Sequence, residues 1–248
     1  MKGIFNALKA AADLFLPRTC IVCGRKLLLK EQHICLMCMA DLPRTFFWNQ
    51  SHNPMADRFN ELLRDSTDIA GPESYAFAAA LFFYHDESSY REITHQIKYL
   101  GNVAAGKYFG HMLGTHLASS DIFKDVDMVI PVPLHWARKW KRGYNQAEVI
   151  ASSVAVVLDV PLRTDILKRI RRTKTQTRLE IGQKAVNVSG AFSLYRRSGA
   201  VVKPRHILLV DDVFTTGSTA LACFVALRTV FPPSVRISVA TLGFVGEG

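Results

Sequence analysis

Ile207-Leu208-Leu209-Val210-Asp211-Asp212-Val213-Phe214-Thr215-Thr216-Gly217-Ser218-Thr219 carries an apolar run straight into two carboxylates and then into a turn of threonine, glycine and serine. The four aliphatic residues predict a buried parallel strand, and the C-terminal edge of such strands is where open α/β sheets bind ligands. Asp211 and Asp212 at that edge can accept hydrogen bonds from vicinal ribose hydroxyls. The turn that follows can hold a phosphate. Its donors are the backbone N–H groups of Thr216 to Thr219, the positive end of a helix expected from Ala220, and the hydroxyls of Thr215, Ser218 and Thr219. An acidic pair after a strand can also cap a helix or meet nearby arginines, but capping does not call for the whole hydroxyl-rich turn.

Around this segment the apolar pattern alternates between strand and helix. Tyr75 to Tyr84 reads as a strand or buried segment. Tyr90 to Leu100 and Val103 to Leu117 read as helices separated by Gly101-Asn102. Asp127 to Ile130 gives a short buried strand, Ala147 to Leu158 a helix, Gly190 to Leu194 a further strand, Ala220 to Thr229 a helix and Arg236 to Leu242 a last strand. This order predicts a doubly wound parallel sheet with helices on both faces and right-handed crossovers. The stretch from Asp41 to Pro72, with Pro54 and clustered polar residues, reads as irregular structure and short helices, a linker and packing layer.

Two basic stretches converge on the same sheet edge. The first runs from Pro131 to Ala147. Arg138, Lys139, Lys141 and Arg142 can neutralise a pyrophosphate there, while Pro131 and Pro133 stiffen the exit from the strand. Trp136 and Tyr144 offer either stacking surfaces for bases or rings that pack beneath the loop. The second stretch, Lys168 to Leu179, contains Arg171, Arg172, Lys174, Gln176 and Arg178 with almost no apolar face. It reads as a lid that closes over an anion or as a solvated basic loop.

The 248 residues suffice for one medium domain and a small module. With 31 Lys and Arg against 21 Asp and Glu, the net charge of +10 favours an anionic partner, nucleic acid or polyphosphate. Cys20-x2-Cys23 and Cys35-x2-Cys38 have the paired spacing of a tetrahedral zinc site. The short gap between the pairs suggests a compact knuckle or ribbon, and His33 is a spare ligand beside a shell that four thiolates already complete. A disulfide framework is the rival reading, and it lacks a secretory signal. Cys223 falls in a helical pattern as a small core residue. Near the N-terminus, Lys2, Asn6, Lys9 and Asp13 share one helical face while Ile4, Leu8 and Phe15 share another. That predicts an amphipathic helix rather than a signal peptide or transmembrane span, and a cytoplasmic protein.

The acidic strand and its turn closely resemble the 5-phosphoribosyl 1-pyrophosphate (PRPP) motif of type I phosphoribosyltransferases. The whole chain resembles the ComF family. The likeness rests on Asp13-Leu14-Phe15-Leu16-Pro17, the four cysteines, the Pro131-Val132-Pro133-Leu134 and Arg142-Gly143-Tyr144-Asn145-Gln146-Ala147 block, the Thr173, Gln176, Leu179, Asn187 and Val188 block, and the PRPP turn. Lys184 stands where that family usually has arginine and Tyr144 where it often has phenylalanine, changes that keep charge and ring. The resemblance implies an N-terminal helix and zinc module over residues 1–45, a linker and packing segment over 46–74, and a phosphoribosyltransferase-like domain over 75–248.

The resemblance also assigns roles. Asp211 and Asp212 would bind the ribose hydroxyls and often a Mg²⁺ shell, and Thr215, Thr216, Gly217, Ser218 and Thr219 the 5-phosphate, with Val213 in the same PRPP-binding stretch. Val132, Pro133 and Leu134 would form the pyrophosphate loop. Arg138, Arg142 and the stretch bearing Lys174, Gln176 and Arg178 would cover the leaving group. Zn²⁺ would be structural, and Mg²⁺ would arrive with PRPP, whose pyrophosphate oxygens it bridges. The implied setting is natural transformation and the handling of incoming single-stranded DNA. Three functions are consistent with these residues: a PRPP-binding module that holds single-stranded DNA, a phosphoribosyltransferase acting on an unidentified base, and an adaptor whose zinc module docks a helicase or recombination partner. No residue in the sequence identifies a pocket for an acceptor base.

Overall fold

In the computed structural model, residues 18–69, 71–85, 87–170, 191–194 and 204–246 are described, without the side chains of residues 138, 139 and 141. The expected N-terminal helix and the Asp13 to Pro17 segment lie outside those residues. So do Arg171, Arg172, Lys174, Gln176, Arg178 and Lys184, together with the rest of the Thr173 to Val188 block.

In chain order the described residues form α1 (Leu36–Ala40), a 3₁₀ turn (Phe47–Asn49), α2 (Pro54–Arg64), β1 (Ala78–Phe83), α3 (Arg91–Tyr99) and α4 (Val103–Ala118). They continue with β2 (Met128–Pro131), α5 (Trp136–Arg142), α6 (Gln146–Leu158), β3 (Leu167–Arg169), β4 (Phe192–Leu194), β5 (His206–Phe214), α7 (Ser218–Arg228) and β6 (Arg236–Phe244). Strands β1, β6, β5 and β2 form one sheet in that order, and every pairing in it is parallel. The fold is therefore α/β, a parallel sheet with helices packed against it. The central strands β5 and β6 are almost wholly buried, as their near-continuous apolar sequences require of parallel strands covered on both faces.

Three local expectations change. Strand β5 does not stop at Val210. It runs on through Asp211 and Asp212 to Phe214, because β6 continues to pair with it, Asp211 opposite Thr241, Val213 opposite Gly243 and Phe214 opposite Phe244. The predicted strand Gly190–Leu194 is β4, and it pairs antiparallel with β3 outside the parallel sheet. The basic loop after β2 contains a helix, α5. The stretch read as irregular structure and short helices contains α2, an 11-residue helix capped by the Asn53 side chain, which accepts from Ala56 N–H. Pro54 occupies the first helical position, where its fixed φ and missing N–H do no harm, so it starts one of the short helices expected in this stretch.

Helices α4 and α6 lie against one another and against the sheet, α4 on β1 and β6, α6 on β2 and β5. Gly106, Gly110 and Gly114 form a stripe at helical spacing along α4 that faces α6. A methyl group on Gly110 would sit 2.8 Å from the Ile150 carbonyl oxygen, a backbone atom that cannot swing aside. Gly110→Ala should therefore force the two helices apart and destabilise the fold by about 1–3 kcal/mol. Thermal denaturation checks this, and a melting temperature equal to or above that of the parent would contradict the close approach.

Candidate functional site

The site begins with the length of β5. Successive side chains on a strand point to opposite faces, so the two aspartates serve different surroundings. Asp211 lines a narrow cleft with Val132, Val213, Thr215, Gly217 and Thr219, beside Thr241 of β6. Asp212 is 5% exposed, and its Oδ1 lies 3.3 Å from Lys98 Nζ at the end of α3. Its Oδ2 is buried without a hydrogen-bond partner. A buried carboxylate oxygen without a donor is costly, and it is the kind of atom that a bound hydroxyl or cation satisfies.

After β5 the chain turns at Gly217 and enters α7. Gly217 has φ +82°, and a methyl group there would lie 2.6 Å from Leu62 Cδ1 and 2.7 Å from Phe214 Cζ. Glycine is needed on both counts, conformation and space. Thr216 Oγ1 and Ser218 Oγ are 3.0 Å apart, and the α7 cap at Gly217 makes no side-chain hydrogen bond. Ser218 N–H makes a long 3.5 Å contact to Thr216 Oγ1, and the positive end of the α7 dipole faces the cleft that Gly217 and Thr219 line. Arg58 of α2 fixes the turn from behind, donating to the Thr215 carbonyl at 3.0 Å and to the Val245 carbonyl at 3.3 Å.

On the other side of the cleft, Val132 N–H continues the ladder by donating to the Val210 carbonyl at 2.8 Å. Asn145 donates from Nδ2 to the Val132 carbonyl at 3.0 Å, while its Oδ1 accepts from Ala147 N–H at the start of α6. Pro133 and Leu134 follow, partly buried, and do not line the cleft. Arg142 donates to Gln146 Oε1 at 3.0 Å and lies over the Tyr99 ring, 4.9 Å from its centroid, so in this state it is not directed at the acidic pair. Tyr144 donates its hydroxyl to the Ile97 carbonyl, the packing role among its two readings. Trp136 and Trp140 are 73% and 88% exposed, and the Trp136 ring lies 5.5 Å from that of His135. Arg138 belongs to α5, and its side chain is not among those described.

Burial raises the Asp211 carboxyl, the Asp212 charge raises it further, and together they bring it to about 7 against the opposing effects of the Asp212 N–H, Lys98 and Arg169. Burial disfavours the Lys98 ammonium, yet Asp212 and Asp211 outweigh it and leave Lys98 above its ordinary value, hence charged. Lys98, Arg58 and Thr241 were not singled out in the sequence. Arg58 lies in the helix whose start Asn53-Pro54 marks; Lys98 is an ordinary basic residue in a last helical turn, with no local signal.

The four cysteines come together as a second centre. Their sulfur atoms all lie within 4.8 Å of one another, and Cys23 Sγ and Cys35 Sγ are 3.8 Å apart. A tetrahedron of thiolates about 2.3 Å from zinc has edges of about 3.8 Å. The cluster fits a zinc-binding module, and all four cysteines are free thiols. Burial raises the Cys20 thiol, but N–H groups of Cys23, Cys35 and Val22 outweigh it and bring it down to about 7, favouring the thiolate that a metal takes. Glu31 shapes the loop between the pairs by accepting from Leu28 and Leu36 N–H, each at 2.7 Å. His33 turns its ring to Tyr108, 5.5 Å between centroids, rather than joining the cluster. Tyr90 donates to the Cys38 carbonyl at 3.0 Å, which ties the module to the residues ahead of α3. Cys223 is fully buried in α7, as expected of a core residue. No helix among the described residues is long and apolar enough to cross a membrane.

Residues 145–243 match the phosphoribosyl transferase domain family, so the protein is one that carries a phosphoribosyltransferase domain. The chain is also 43% identical over 97 residues to competence protein F of Haemophilus influenzae, covering 38% of this chain and 40% of that protein. It is 37% identical over 93 residues to DNA utilization protein YhgH of Escherichia coli O157:H7, covering 38% of this chain and 39% of that protein. The domain and these relatives together support a ComF-type family for this chain. The match spans about two fifths of the relatives' own length.

The raised Asp211 makes a pH prediction. An unfolded chain ionises an aspartate near pH 4, whereas the fold keeps this proton up to about pH 7. Across that window the unfolded state binds fewer protons, so the parent loses stability as pH rises from about 4 to about 7 and does not regain it above. Asp211→Asn removes the effect. In melting curves it should be more stable than the parent at about pH 8 and nearly equal to it at about pH 4. A stability difference independent of pH would contradict the assignment.

Proposed function

We propose that this protein binds PRPP at the ends of β5 and β6 and acts, as a ComF-type protein, in natural transformation and the handling of incoming single-stranded DNA. The observation that carries the reading is the juxtaposition, in one cleft, of Asp211 and the start of α7 across one glycine turn. One offers acceptors for ribose hydroxyls, the other donors for a phosphate, in the order in which a ribose 5-phosphate presents them. Asp211 and Asp212 take the ribose, and Val213 belongs to the same PRPP-binding stretch. Thr215, Thr216, Gly217, Ser218 and Thr219 take the 5-phosphate, and Val132, Pro133 and Leu134 the pyrophosphate. Arg138, Arg142, Lys174, Gln176 and Arg178 are the cations and donors available to cover it.

Mg²⁺, when bound with the ligand, would neutralise pyrophosphate charge, and the acidic pair supplies oxygen ligands of the kind it prefers. The chain's own contribution is to orient the ribose and keep the phosphate in place. Cys20, Cys23, Cys35 and Cys38 hold a structural Zn²⁺ that fixes the N-terminal module. The DNA role draws on the names of the relatives, on the net charge of +10, and on Trp136 and Trp140, whose exposed rings beside a basic helix suit base stacking. We place the protein in the cytoplasm, where DNA that has entered the cell is handled. A helicase or recombination protein that docks on the zinc module is a further candidate partner.

Calorimetry with Mg²⁺ and PRPP should show binding that falls by about tenfold or more in Asp211→Asn/Asp212→Asn, with bound zinc unchanged. Unaltered PRPP affinity in that double variant would remove the central assignment. Cys20→Ser should lose zinc and keep PRPP binding; one tightly held zinc per chain in the variant would contradict the four-thiolate centre. Single-stranded oligonucleotide affinity should fall steeply with salt, and Trp140→Ala should weaken it without flattening that slope. Salt-insensitive binding, or none, would end the DNA proposal. Pyrophosphate release from PRPP stimulated by a nucleobase would instead make the protein a phosphoribosyltransferase in nucleotide metabolism.

A further inference from the structure

Lys98 is mounted more firmly than a lysine in the last turn of a helix needs to be. Ile93 and Ile97, on the same helix, are buried at 0% and 1% exposure. The Ile97 carbonyl accepts the Tyr144 hydroxyl, and the Tyr99 ring carries Arg142, so both neighbours of Lys98 are held by the block that follows β2. Beyond it, Leu100 N–H donates to the Gln96 carbonyl at 3.1 Å and Asn102 Nδ2 to Gln96 Oε1 at 2.9 Å, closing the helix end around Gly101, whose φ is +71°. The side chain is 23% exposed, that of Asp212 8%, and the two meet at 3.3 Å through Asp212 Oδ1. Asp212 Oδ2 is left without a partner.

Two adjacent carboxylates at a sheet edge normally need a cation beside them. Here the chain supplies one on a fixed support, and it occupies only one oxygen of one carboxylate. We propose that Lys98 is the built-in counter-cation of the acidic pair, so that the ribose 5-phosphate part of the ligand binds without a divalent ion, and any Mg²⁺ required is the one carried by the pyrophosphate. This rests on the reading of the cleft as a PRPP site and assigns Lys98 a place behind it. Lys98 acts through Asp212, as a positioning residue: from the face of β5 opposite the cleft it holds Oδ1 at 3.3 Å, and it cancels charge that a divalent ion would otherwise cancel.

The test uses ribose 5-phosphate, which has no pyrophosphate, titrated calorimetrically into the full chain. The buffer is freed of Mg²⁺ by ion-exchange resin rather than by a chelator, so that the cysteine cluster keeps any metal. The parent should bind with Mg²⁺ and without it at affinities within about twofold of each other. Lys98→Met should bind about tenfold or more weakly without Mg²⁺ and recover part of the loss when Mg²⁺ is added, while Lys98→Arg keeps most of the parent's affinity. The acquired Mg²⁺ dependence is the decisive readout, because a lysine that served folding alone would not create it. Binding by the parent that collapses without Mg²⁺, or Lys98→Met that binds like the parent in Mg²⁺-free buffer, would overturn the proposal. No binding by the parent in either buffer would remove the site reading itself, and this assignment with it. Melting curves confirm that the variants are folded, and Lys98→Met/Asp212→Asn, which leaves no charge stranded at that position, serves as a second variant and should bind no better than Lys98→Met.

Discussion

The parallel pairing of β5 with β6 governs the rest of the molecule. Because β6 continues to offer partners up to Phe244, β5 stays extended for nine residues and carries Asp211 and Asp212 into the sheet before it turns. Had the strand ended at Val210, the carboxylates would sit on a loop, free to meet water. Held in the ladder, they face opposite sides of a buried strand, one into the cleft and one against Lys98. The cost of desolvating two adjacent carboxylates is the origin of the raised Asp211 and of the ammonium placed beside Asp212.

The elements around that strand arrange its surroundings. Packing of α6 under β2 and β5, made close by the glycine stripe of α4, fixes where the block after β2 returns to the sheet. Asn145 then ties that block to Val132, and Tyr144 ties it to the end of α3. On the far side, α2 supports the glycine turn through Leu62 and Arg58. The phosphate turn is therefore held by residues from a segment that reads, by composition, as a connection. The cysteine module joins the same framework through Tyr90, which lies immediately ahead of α3.

How much of this could be read in advance depended on whether the signal was local. The acidic strand, its turn and the paired cysteines were legible because each is contiguous or regularly spaced, and the residue types are those their chemistry requires. The true end of β5 was not, since aspartates disfavour strands and only the partner strand overrides that preference. The short helices expected around Asn53-Pro54 were legible in kind, though not the length of α2. Helix α5 was hidden by its charge and by the prolines ahead of it. The pairing of β4 with β3 depends on a contact across residues that carry no pattern. Lys98 and Arg58 act at the site from helices remote in sequence, and nothing in their immediate neighbours marks them out. The side-chain roles assigned to Arg138, Lys174, Gln176 and Arg178 rest on the resemblance alone, since the described residues do not include those side chains.

The most direct test of the account is phosphorus NMR of PRPP during titration with the protein in the presence of Mg²⁺. The 5-phosphate resonance is resolved from those of the pyrophosphate and reports on the turn at Gly217 by itself. The account predicts that this resonance shifts or broadens with the parent protein, and that it is unchanged with Gly217→Ala, whose added methyl group crowds Phe214 and Leu62 at a left-handed position. A 5-phosphate resonance unaffected by the parent, or perturbed equally by both proteins, would contradict the claim that the turn between β5 and α7 is the phosphate site.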